Sequence, residues 1–222
     1  MGLHKNKEIV DERVLLIKQL KPLTKKQFIA RFEDRPLSYS QKSKFEYDPD
    51  AWFDDYVLGI KEPPNALMEF GTLVGDSIGT ENSMVPSLVP PGVKEYEMKA
   101  YVGNVLMIGF ADHYCPDILE LNENKTSPTK DRWTQKKVDE HEQLTMYCLL
   151  LFLLNKTKPE DVAIWLNFMR TRLAGTKYKL VDQEPLRFPT KRSMLQITQY
   201  SGQVLKTVDE MYAYYCHKLK ST

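Results

Sequence analysis

Apolar residues recur at helical spacing in the first third of the chain. Between residues 8 and 20 they are interspersed with charges, which predicts an amphipathic helix that Pro22 ends. Serines and aromatic residues between positions 38 and 59 favour short helices with a buried aromatic face. Asn65 is a suitable N-cap for a helix that runs to about Ile78. We therefore expect residues 1–80 to form a helical part.

The middle of the chain changes to the patterns of β-strands and tight turns. Strands are predicted at about residues 94–102, 104–113 and 118–126. Gly103–Asn104 and Cys115–Asp117, which separate them, have turn-forming residue types. Just before them, the prolines and the glycine between positions 86 and 92 break regular structure. The pattern therefore indicates an irregular loop followed by a β-meander.

The last third returns to helical periods and contains further strands. Thr134 is a suitable N-cap for a helix to about Leu154, whose second half is apolar on nearly every face and should be buried. Strands are predicted at residues 162–172 and 177–188. Ser193 and Gln196 have the spacing of a capping box and begin the last helix. This order of elements predicts an α/β or α+β layer fold.

Length and composition fit an ordinary folded domain. The chain has 222 residues, of which 42% are hydrophobic and 27% charged, close to the averages of globular proteins. We expect one domain over residues 1–222, with a helical part at 1–80, a sheet and helix at 94–188 and a closing helix at 190–222. The formal net charge of +1 excludes a strongly basic nucleic-acid coat. Basic residues nevertheless cluster near the start of the chain: Lys18, Lys21, Lys25, Lys26 and Arg31. They form either a solvated helix face or a surface that binds the phosphates of a nucleic acid.

The cysteines and the apolar runs predict a cytoplasmic protein. Cys115, Cys148 and Cys216 are odd in number and far apart, which fits a reducing compartment better than a disulfide framework. The longest apolar run is much shorter than the roughly 20 residues that cross a bilayer. Charged residues interrupt any signal-peptide pattern at the N-terminus. We therefore expect no membrane association.

Asp112, Glu123 and Lys125 are the first candidates for chemistry. Asp112 ends an otherwise apolar strand, and Glu123 and Lys125 lie two apart in the next strand, so that they share a face. A hairpin centred between Asp117 and Ile118 places Asp112 opposite Glu123, with Cβ atoms about 5 Å apart. Two carboxylates so close repel each other unless a cation lies between them, and oxygen ligands favour Mg²⁺ or Mn²⁺. The alternative is a turn residue beside a surface ion pair.

Gln143 and Tyr147 are the second pair of candidates. They stand four residues apart in the predicted helix that follows the third strand, so they occupy one face of it. Both side chains can donate and accept hydrogen bonds and could reach a phosphate or a base at the same site. The alternative is a buried polar pair that the backbone satisfies.

Together these segments resemble the PD-(D/E)XK nucleases of the RecB type. The matching residues are Gly109-Phe110-Ala111-Asp112, Glu123-Asn124-Lys125-Thr126, and Gln143 with Tyr147 as a QxxxY motif. Upstream residues are similar to the N-terminal helices of that family: Ser38-Tyr39-Ser40, Phe45, Pro49, Trp52, Tyr56 and Phe70-Gly71-Thr72-Leu73-Val74. The resemblance covers about residues 37–150. No single short motif is specific. The resemblance depends on the order of the motifs and on the strands and the helix in which they are predicted to lie.

The resemblance implies a restriction-endonuclease-like α/β core, in which helices flank a central mixed sheet on both sides. It implies that Asp112, Glu123 and the Asn124 carbonyl bind Mg²⁺ or Mn²⁺, that Lys125 activates water, and that Gln143 and Tyr147 contact DNA or support the site. Where many relatives have a histidine, this chain has Gly75. A third metal ligand then either comes from Asp76 or is missing. The lack of a cysteine quartet excludes the iron–sulfur branch of the family.

Three functions fit these observations. The first is a metal-dependent deoxyribonuclease, expected to be an exonuclease in recombination, repair or phage DNA metabolism, in a bacterial or phage-infected cell and with a recombination or replication protein as a candidate partner. The second is a catalytically inactive DNA-binding or assembly module on the same fold. The third is a metal-dependent hydrolase of small phosphate esters. The proline-rich loop at 86–92 and the basic N-terminal helices favour a polymer substrate over the third.

Overall fold

The computed structural model describes residues 12–182 and 184–221. The α-helices are α1 (residues 12–19), α2 (Lys25–Asp34), α3 (Tyr39–Tyr47), α4 (Pro49–Phe53), α5 (Ala66–Ser77), α6 (Gln135–Asp139), α7 (Glu142–Asn155) and α8 (Met194–Lys220). A π-helical turn spans Asp54–Leu58 and a 3₁₀ turn spans Pro159–Asp161. The strands are β1 (Leu37–Ser38), β2 (Val93–Val102), β3 (Val105–Cys115), β4 (Glu120–Ser127), β5 (Ala163–Ala174), β6 (Lys177–Leu180) and β7 (Leu186–Thr190). Residues 8–11 of the predicted first helix lie outside the described residues.

The strands form one mixed sheet. Its path is β1-β3-β4-β5-β6, with β2 paired to β3 and β7 paired to β5. β1 is parallel to β3 and β4 is parallel to β5, whereas β3–β4, β5–β6 and β5–β7 are antiparallel. The predicted α/β fold, a mixed sheet flanked by helices, is confirmed.

The hairpin between β3 and β4 has the predicted register. The pairs are His113 with Asn122, Tyr114 with Leu121 and Cys115 with Glu120. This ladder ends at His113–Asn122, and the Asp112 carboxylate beyond it accepts a hydrogen bond from the Asn124 amide. The turn at residues 116–119 closes this hairpin. The predicted hairpin and its centre are therefore confirmed, whereas the direct pairing of Asp112 with Glu123 stays a prediction.

The predicted helix from Thr134 to Leu154 is wrong in one respect, because it is two helices. Thr134 caps α6, and the side chain of His141 caps α7 by accepting a hydrogen bond from the Gln143 amide at 3.2 Å. The buried Arg192 stabilises the junction, since its guanidinium donates to the carbonyls of Val138 and His141 at 2.8 and 3.1 Å. A buried cation thus adds a further donor to two carbonyls that also accept from backbone amides of α7 and of the junction.

The predicted strand at 177–188 is also wrong, because the chain forms two strands there. β6 pairs with the end of β5, at Thr171–Ala174, whereas β7 pairs with its beginning, at Ile164–Phe168. Residues 181–185 connect the two. The long strand β5 therefore pairs with two short strands, one at each end. Nothing in the local sequence indicates this arrangement. The two-residue strand β1 was not predicted either.

The described residues divide into two compact units. The first combines the chain up to Glu62 with Tyr101–Ile108 and the part from Ser201, and the second comprises Pro63–Ala100 and Gly109–Tyr200. The core of the first unit is largely aromatic: Phe28, Phe32, Phe45, Trp52, Phe53 and Tyr215 are buried. The second unit buries α7 from Leu144 to Leu151. It also buries a cluster that joins α5 to the sheet and contains Val74, Ile78, Val85, Leu88 and Met169.

Several predictions from composition can be compared with the structure. All three cysteines are free. Lys18, Lys21, Lys25 and Lys26 are exposed, and Lys25 forms an ion pair with Asp209 at 2.7 Å. Arg31 is half-buried, and its guanidinium approaches the Tyr56 carbonyl at 3.5 Å. Within residues 12–182 and 184–221, none of the helices has the length and apolar character of a membrane span.

Candidate active site

Asp112 lies near the end of β3, beside the middle of β4. The backbone amide of Asn124 donates a hydrogen bond to its carboxylate at 2.5 Å. Burial, and then the nearby charge of Glu123, raise the pKa of Asp112 to about 8. An isolated carboxyl group in this position therefore holds its proton at neutral pH, and it needs a cation to ionise fully.

Glu123 and Lys125 form a direct ion pair on β4. The Lys125 Nζ atom is 2.5 Å from Glu123 Oε1. The side chain of Glu123 is 3% exposed and that of Lys125 is 29% exposed, so the pair is only partly solvated. Because residues two apart in a strand point to the same side, the local structure alone explains why these two side chains meet.

Gln143 and Tyr147 extend this pair into a chain of hydrogen bonds. Lys125 donates to Gln143 Oε1 at 2.9 Å, and Gln143 Nε2 donates to the Tyr147 hydroxyl at 2.6 Å. The hydroxyl donates in turn to the Phe110 carbonyl at 2.5 Å. Burial, and then the charges of Glu123 and Asp112, raise the pKa of Tyr147, so it remains a neutral phenol. The structure therefore brings together all five candidate side chains.

Gly109 provides the space for this arrangement. A Cβ atom at this position would lie 2.8 Å from Met146 Cε and 3.0 Å from Tyr147 Cε1. Both distances are shorter than ordinary van der Waals contacts, so a side chain at position 109 would push α7 away from β3. The glycine of the GFAD segment thus allows the Tyr147 ring to approach the backbone of β3.

The oxygen atoms around Asp112 and Glu123 fit a hard divalent cation. Glu123 Oε2 is buried and accepts no hydrogen bond from the described residues, so this carboxyl oxygen has no partner among them. The raised pKa of Asp112 reflects the same lack of compensation. The carboxylates of Asp112 and Glu123 are oxygen donors of the kind that Mg²⁺ and Mn²⁺ prefer.

Asp76 does not join this donor set. In the part of the chain that the structure describes, no three Asp, Glu, His or Cys side chains lie close enough to share a metal ion. Asp76 is in the last turns of α5, where its backbone carbonyl accepts a hydrogen bond from Lys94 Nζ at 2.6 Å. The Gly75 carbonyl accepts another at 3.1 Å. Lys94 therefore satisfies the C-terminal end of α5.

Trp133 and His141 border the site and were missed by the sequence analysis. The His141 imidazole lies against the Trp133 ring, with ring centroids 4.7 Å apart. Burial, and then the charges of Lys125 and Arg192, lower the pKa of His141 to about 4. The imidazole is therefore neutral and can accept the hydrogen bond that caps α7. Histidine is not a preferred N-cap residue, so its position gave little signal.

We expect His141 to make the protein less stable in acid. Because its folded pKa is below the unfolded value, the unfolded chain binds the proton first, and stability falls as the pH drops from about 6.5 to about 4. The loss should be about 2–3 kcal/mol. The loss is measured as the difference in unfolding free energy in urea between the unmodified protein and His141→Asn at pH 7.5, 5.5 and 4.5, because the raised pKa of Asp112 changes the stability of both proteins in the opposite direction. His141→Asn retains a capping acceptor without a titrating group, so equal acid sensitivity in this variant would contradict the prediction.

Comparison with known proteins shows similarity of fold. No family model and no curated protein matches the sequence. Among solved structures, a protein of Eubacterium rectale to which exonuclease activity is ascribed has a TM-score of 0.51 at 9% identity, over 90% of this chain and 88% of that one. An alkaline exonuclease of Laribacter hongkongensis has a TM-score of 0.49 at 13% identity, over 87% and 95%. A phage-related exonuclease of Haemophilus somnus has 0.48 at 13%, over 82% and 81%.

Proposed function

We propose that this chain is a divalent-metal-dependent deoxyribonuclease that hydrolyses DNA phosphodiester bonds, on a PD-(D/E)XK fold of the RecB type. The observation that carries the proposal is the continuous set of contacts from Glu123 through Lys125 and Gln143 to Tyr147, with Asp112 bonded to the amide of Asn124. Forming a partly buried ion pair and extending it by two polar side chains costs desolvation free energy, which a role in catalysis explains. The fold similarity to the Eubacterium rectale protein supports the same conclusion.

Asp112, Glu123 and the carbonyl of Asn124 would hold Mg²⁺ or Mn²⁺. Such an ion, when bound, stabilises negative charge on the phosphorus and acidifies a bound water. Lys125 contributes a positive charge that orients the attacking water and the scissile phosphate. Its ammonium is already fixed by Glu123 and Gln143, so little conformational entropy is lost when substrate binds.

Gln143 and Tyr147 support the site in this proposal. The amide oxygen of Gln143 bonds Lys125 and its nitrogen bonds Tyr147, and the Tyr147 hydroxyl both accepts a hydrogen bond and donates one. Tyr147 is buried, with 1% of its surface exposed. These contacts favour the supporting role over direct contact with DNA. The two residues connect α7 to Lys125 and to the Phe110 carbonyl of β3.

The finer assignment is an exonuclease of recombination, repair or phage DNA metabolism that works in the cytoplasm of a bacterial or phage-infected cell. A recombination or replication protein is the expected partner. This assignment rests on the resemblance of the motifs to RecB-type nucleases. The same resemblance is the reason for proposing DNA as the substrate. Digestion of linear DNA with sparing of covalently closed circles would distinguish an exonuclease from an endonuclease.

The test is incubation of linear and circular DNA with Mg²⁺, Mn²⁺ or EDTA. We expect degradation that requires the metal and that falls by about 10²–10⁴-fold in Lys125→Ala, because the positioned ammonium is lost from the reacting groups. A gel or fluorescence assay of released nucleotides measures the rate.

Lys136→Ala is the matched control, since Lys136 is 83% exposed and pairs only loosely with Glu140, at 4.0 Å. Its rate should equal that of the unmodified protein. DNA that is bound but left intact under every metal condition would overturn the nuclease proposal and favour the inactive DNA-binding module. Equal losses in both lysine variants would point to general phosphate binding instead of a role at the site.

A further inference from the structure

A second polar network, with no part in the proposed chemistry so far, connects β4, β5 and β7. The buried amide of Asn167 on β5 donates to Asn122 Oδ1 at 3.1 Å and to Asn124 Oδ1 at 3.0 Å. On its other side, Asn167 Oδ1 accepts from Arg187 Nε at 3.1 Å. The Arg187 guanidinium also lies over the Trp165 ring, 4.4 Å from its centroid. One side chain of β5 therefore bonds both neighbouring strands.

Arg187 determines which way the Asn167 amide points. A guanidinium only donates hydrogen bonds, so the Asn167 oxygen must face Arg187. The two N–H groups of the same amide then face β4, where each meets a side-chain oxygen. The contact with Trp165 restrains the guanidinium at a second point, which keeps the donor in place. The exposed residue Arg187 thus fixes the orientation of the buried Asn167 amide.

Asn124 depends on this network more than Asn122 does. The Asn122 amide also donates to Glu120 Oε1 at 2.9 Å. The amide nitrogen of Asn124 is buried and forms no hydrogen bond with the described residues, so the contact from Asn167 is the hydrogen bond that holds this side chain. Asn124 and Asn167 are also direct partners in the parallel ladder of β4 and β5. The register and the side-chain bond therefore act on the same residue.

Asn124 has a central position in the candidate site. It lies between Glu123 and Lys125, and its backbone amide holds the Asp112 carboxylate at 2.5 Å. A change in the backbone torsion angles of Asn124 would move the amide that bonds Asp112 and, in the next peptide unit, the carbonyl that is proposed as a metal ligand. Outer partners that orient ligands commonly contribute 10–100-fold to metal affinity or activity.

We propose that Asn167, oriented by Arg187, is a positioning residue that fixes the Asn124 peptide and thereby sets the affinity of the Asp112–Glu123 site for its divalent ion. The inference rests on the proposed function, because it assumes that the ion binds there. It adds residues of β5 and β7, far along the chain from the motifs, to the machinery of the site. Neither Asn167 nor Arg187 touches the reacting atoms.

Two alanine variants of the same strand test the proposal. Asn124→Ala and Asn122→Ala each remove one of the two acceptors of Asn167, and Asn122→Ala removes an additional bond to Glu120. Asn122→Ala should therefore lower the melting temperature in EDTA at least as much as Asn124→Ala does. We expect only Asn124→Ala to weaken Mn²⁺ binding, by 10–100-fold, as measured by calorimetry or by electron paramagnetic resonance of the free ion without DNA. The Mn²⁺ concentration for half-maximal cleavage should rise in parallel.

Arg187→Met provides a second test that does not depend on a buried substitution, since Arg187 is exposed. Methionine retains apolar contact with Trp165 but cannot donate to Asn167, and Mn²⁺ affinity should fall by about tenfold. Equal Mn²⁺ affinities of Asn122→Ala and Asn124→Ala, or an unchanged affinity in Arg187→Met, would overturn the positioning role. If the unmodified protein and Glu123→Gln bind Mn²⁺ alike, the ion does not bind at this site, and the proposed function fails together with the inference.

Discussion

Replacing Asp112 with asparagine is expected to abolish DNA cleavage and, at the same time, to stabilise the metal-free protein. Asparagine retains an acceptor for the Asn124 amide but lacks the charge that a divalent ion needs. The loss of a direct ligand should exceed the effect of an outer partner, so we expect cleavage to fall by about a thousandfold or more. The same DNA degradation assay measures it.

The gain in stability follows from the pKa of Asp112, which the fold raises to about 8. The folded protein keeps a proton that the unfolded chain loses above about pH 4, so stability falls as the pH rises from there to about 8. The substituted amide cannot ionise, and the Asp112→Asn variant should be about 2–4 kcal/mol more stable at pH 8 in EDTA. The advantage should shrink towards pH 5.

Urea unfolding at pH 5, 6.5 and 8, with EDTA throughout, tests this dependence. Asp117→Asn, in the exposed turn between β3 and β4, is the control and should behave like the unmodified protein at each pH. A stability difference for Asp112→Asn that does not vary with pH would contradict the explanation, since it would then arise from packing and not from ionisation. Divalent metal should stabilise only proteins that retain Asp112.

Among glycine-to-alanine substitutions at the glycines that the structure describes, Gly92→Ala is expected to cause the largest loss of stability. Gly92 precedes β2 and has a φ of 92°, a conformation that L-residues rarely adopt. A Cβ atom there would lie 2.1 Å from the Tyr114 carbonyl oxygen and 2.5 Å from Cys115 Cα. Both contacts are with backbone, which cannot rotate away. We expect a loss of about 3–5 kcal/mol, or roughly 10 °C in melting temperature.

Gly75→Ala is the matched control for this substitution. Gly75 lies within α5, and a Cβ atom there would meet no atom within 4 Å. Alanine is the better helix former, so the variant should be more stable by about 0.5–1 kcal/mol. Thermal unfolding of the two variants side by side measures the difference. If Gly92→Ala melts like Gly75→Ala, the loop before β2 does not have the conformation described.

Local chemistry was sufficient to predict much of the fold and the centre of the site. The register of the β3–β4 hairpin followed from turn residues and strand length, without any tertiary information. The i, i+4 spacing of Gln143 and Tyr147 predicted a shared helix face, and their side chains are hydrogen-bonded to each other. The caps at Asn65 and Ser193 were also predicted correctly. In each case the determining residues are near neighbours in the sequence.

What the sequence did not reveal depends on residues that are distant along the chain. At the break between α6 and α7, the His141 carbonyl accepts a hydrogen bond from Arg192, which lies some fifty residues later in the sequence. Asn167 and Asn122 are 45 positions apart and meet only because β5 lies beside β4. Neither residue type suggests burial on its own, so no pattern of period two or 3.6 identifies them. Partners supplied by the sheet topology become visible only once the strand order is known.

The short hydrogen bond between the Asn124 amide and the Asp112 carboxylate gives the site a reporter of its own. A backbone proton held so close to a carboxylate is strongly deshielded, and its resonance shifts as the acceptor gains or loses charge. In an amide correlation spectrum, this single peak would follow both the titration of Asp112 and the arrival of an ion, without DNA and without turnover. Binding of a metal ion between Asp112 and Glu123 could thus be monitored through the amide signal of Asn124 alone.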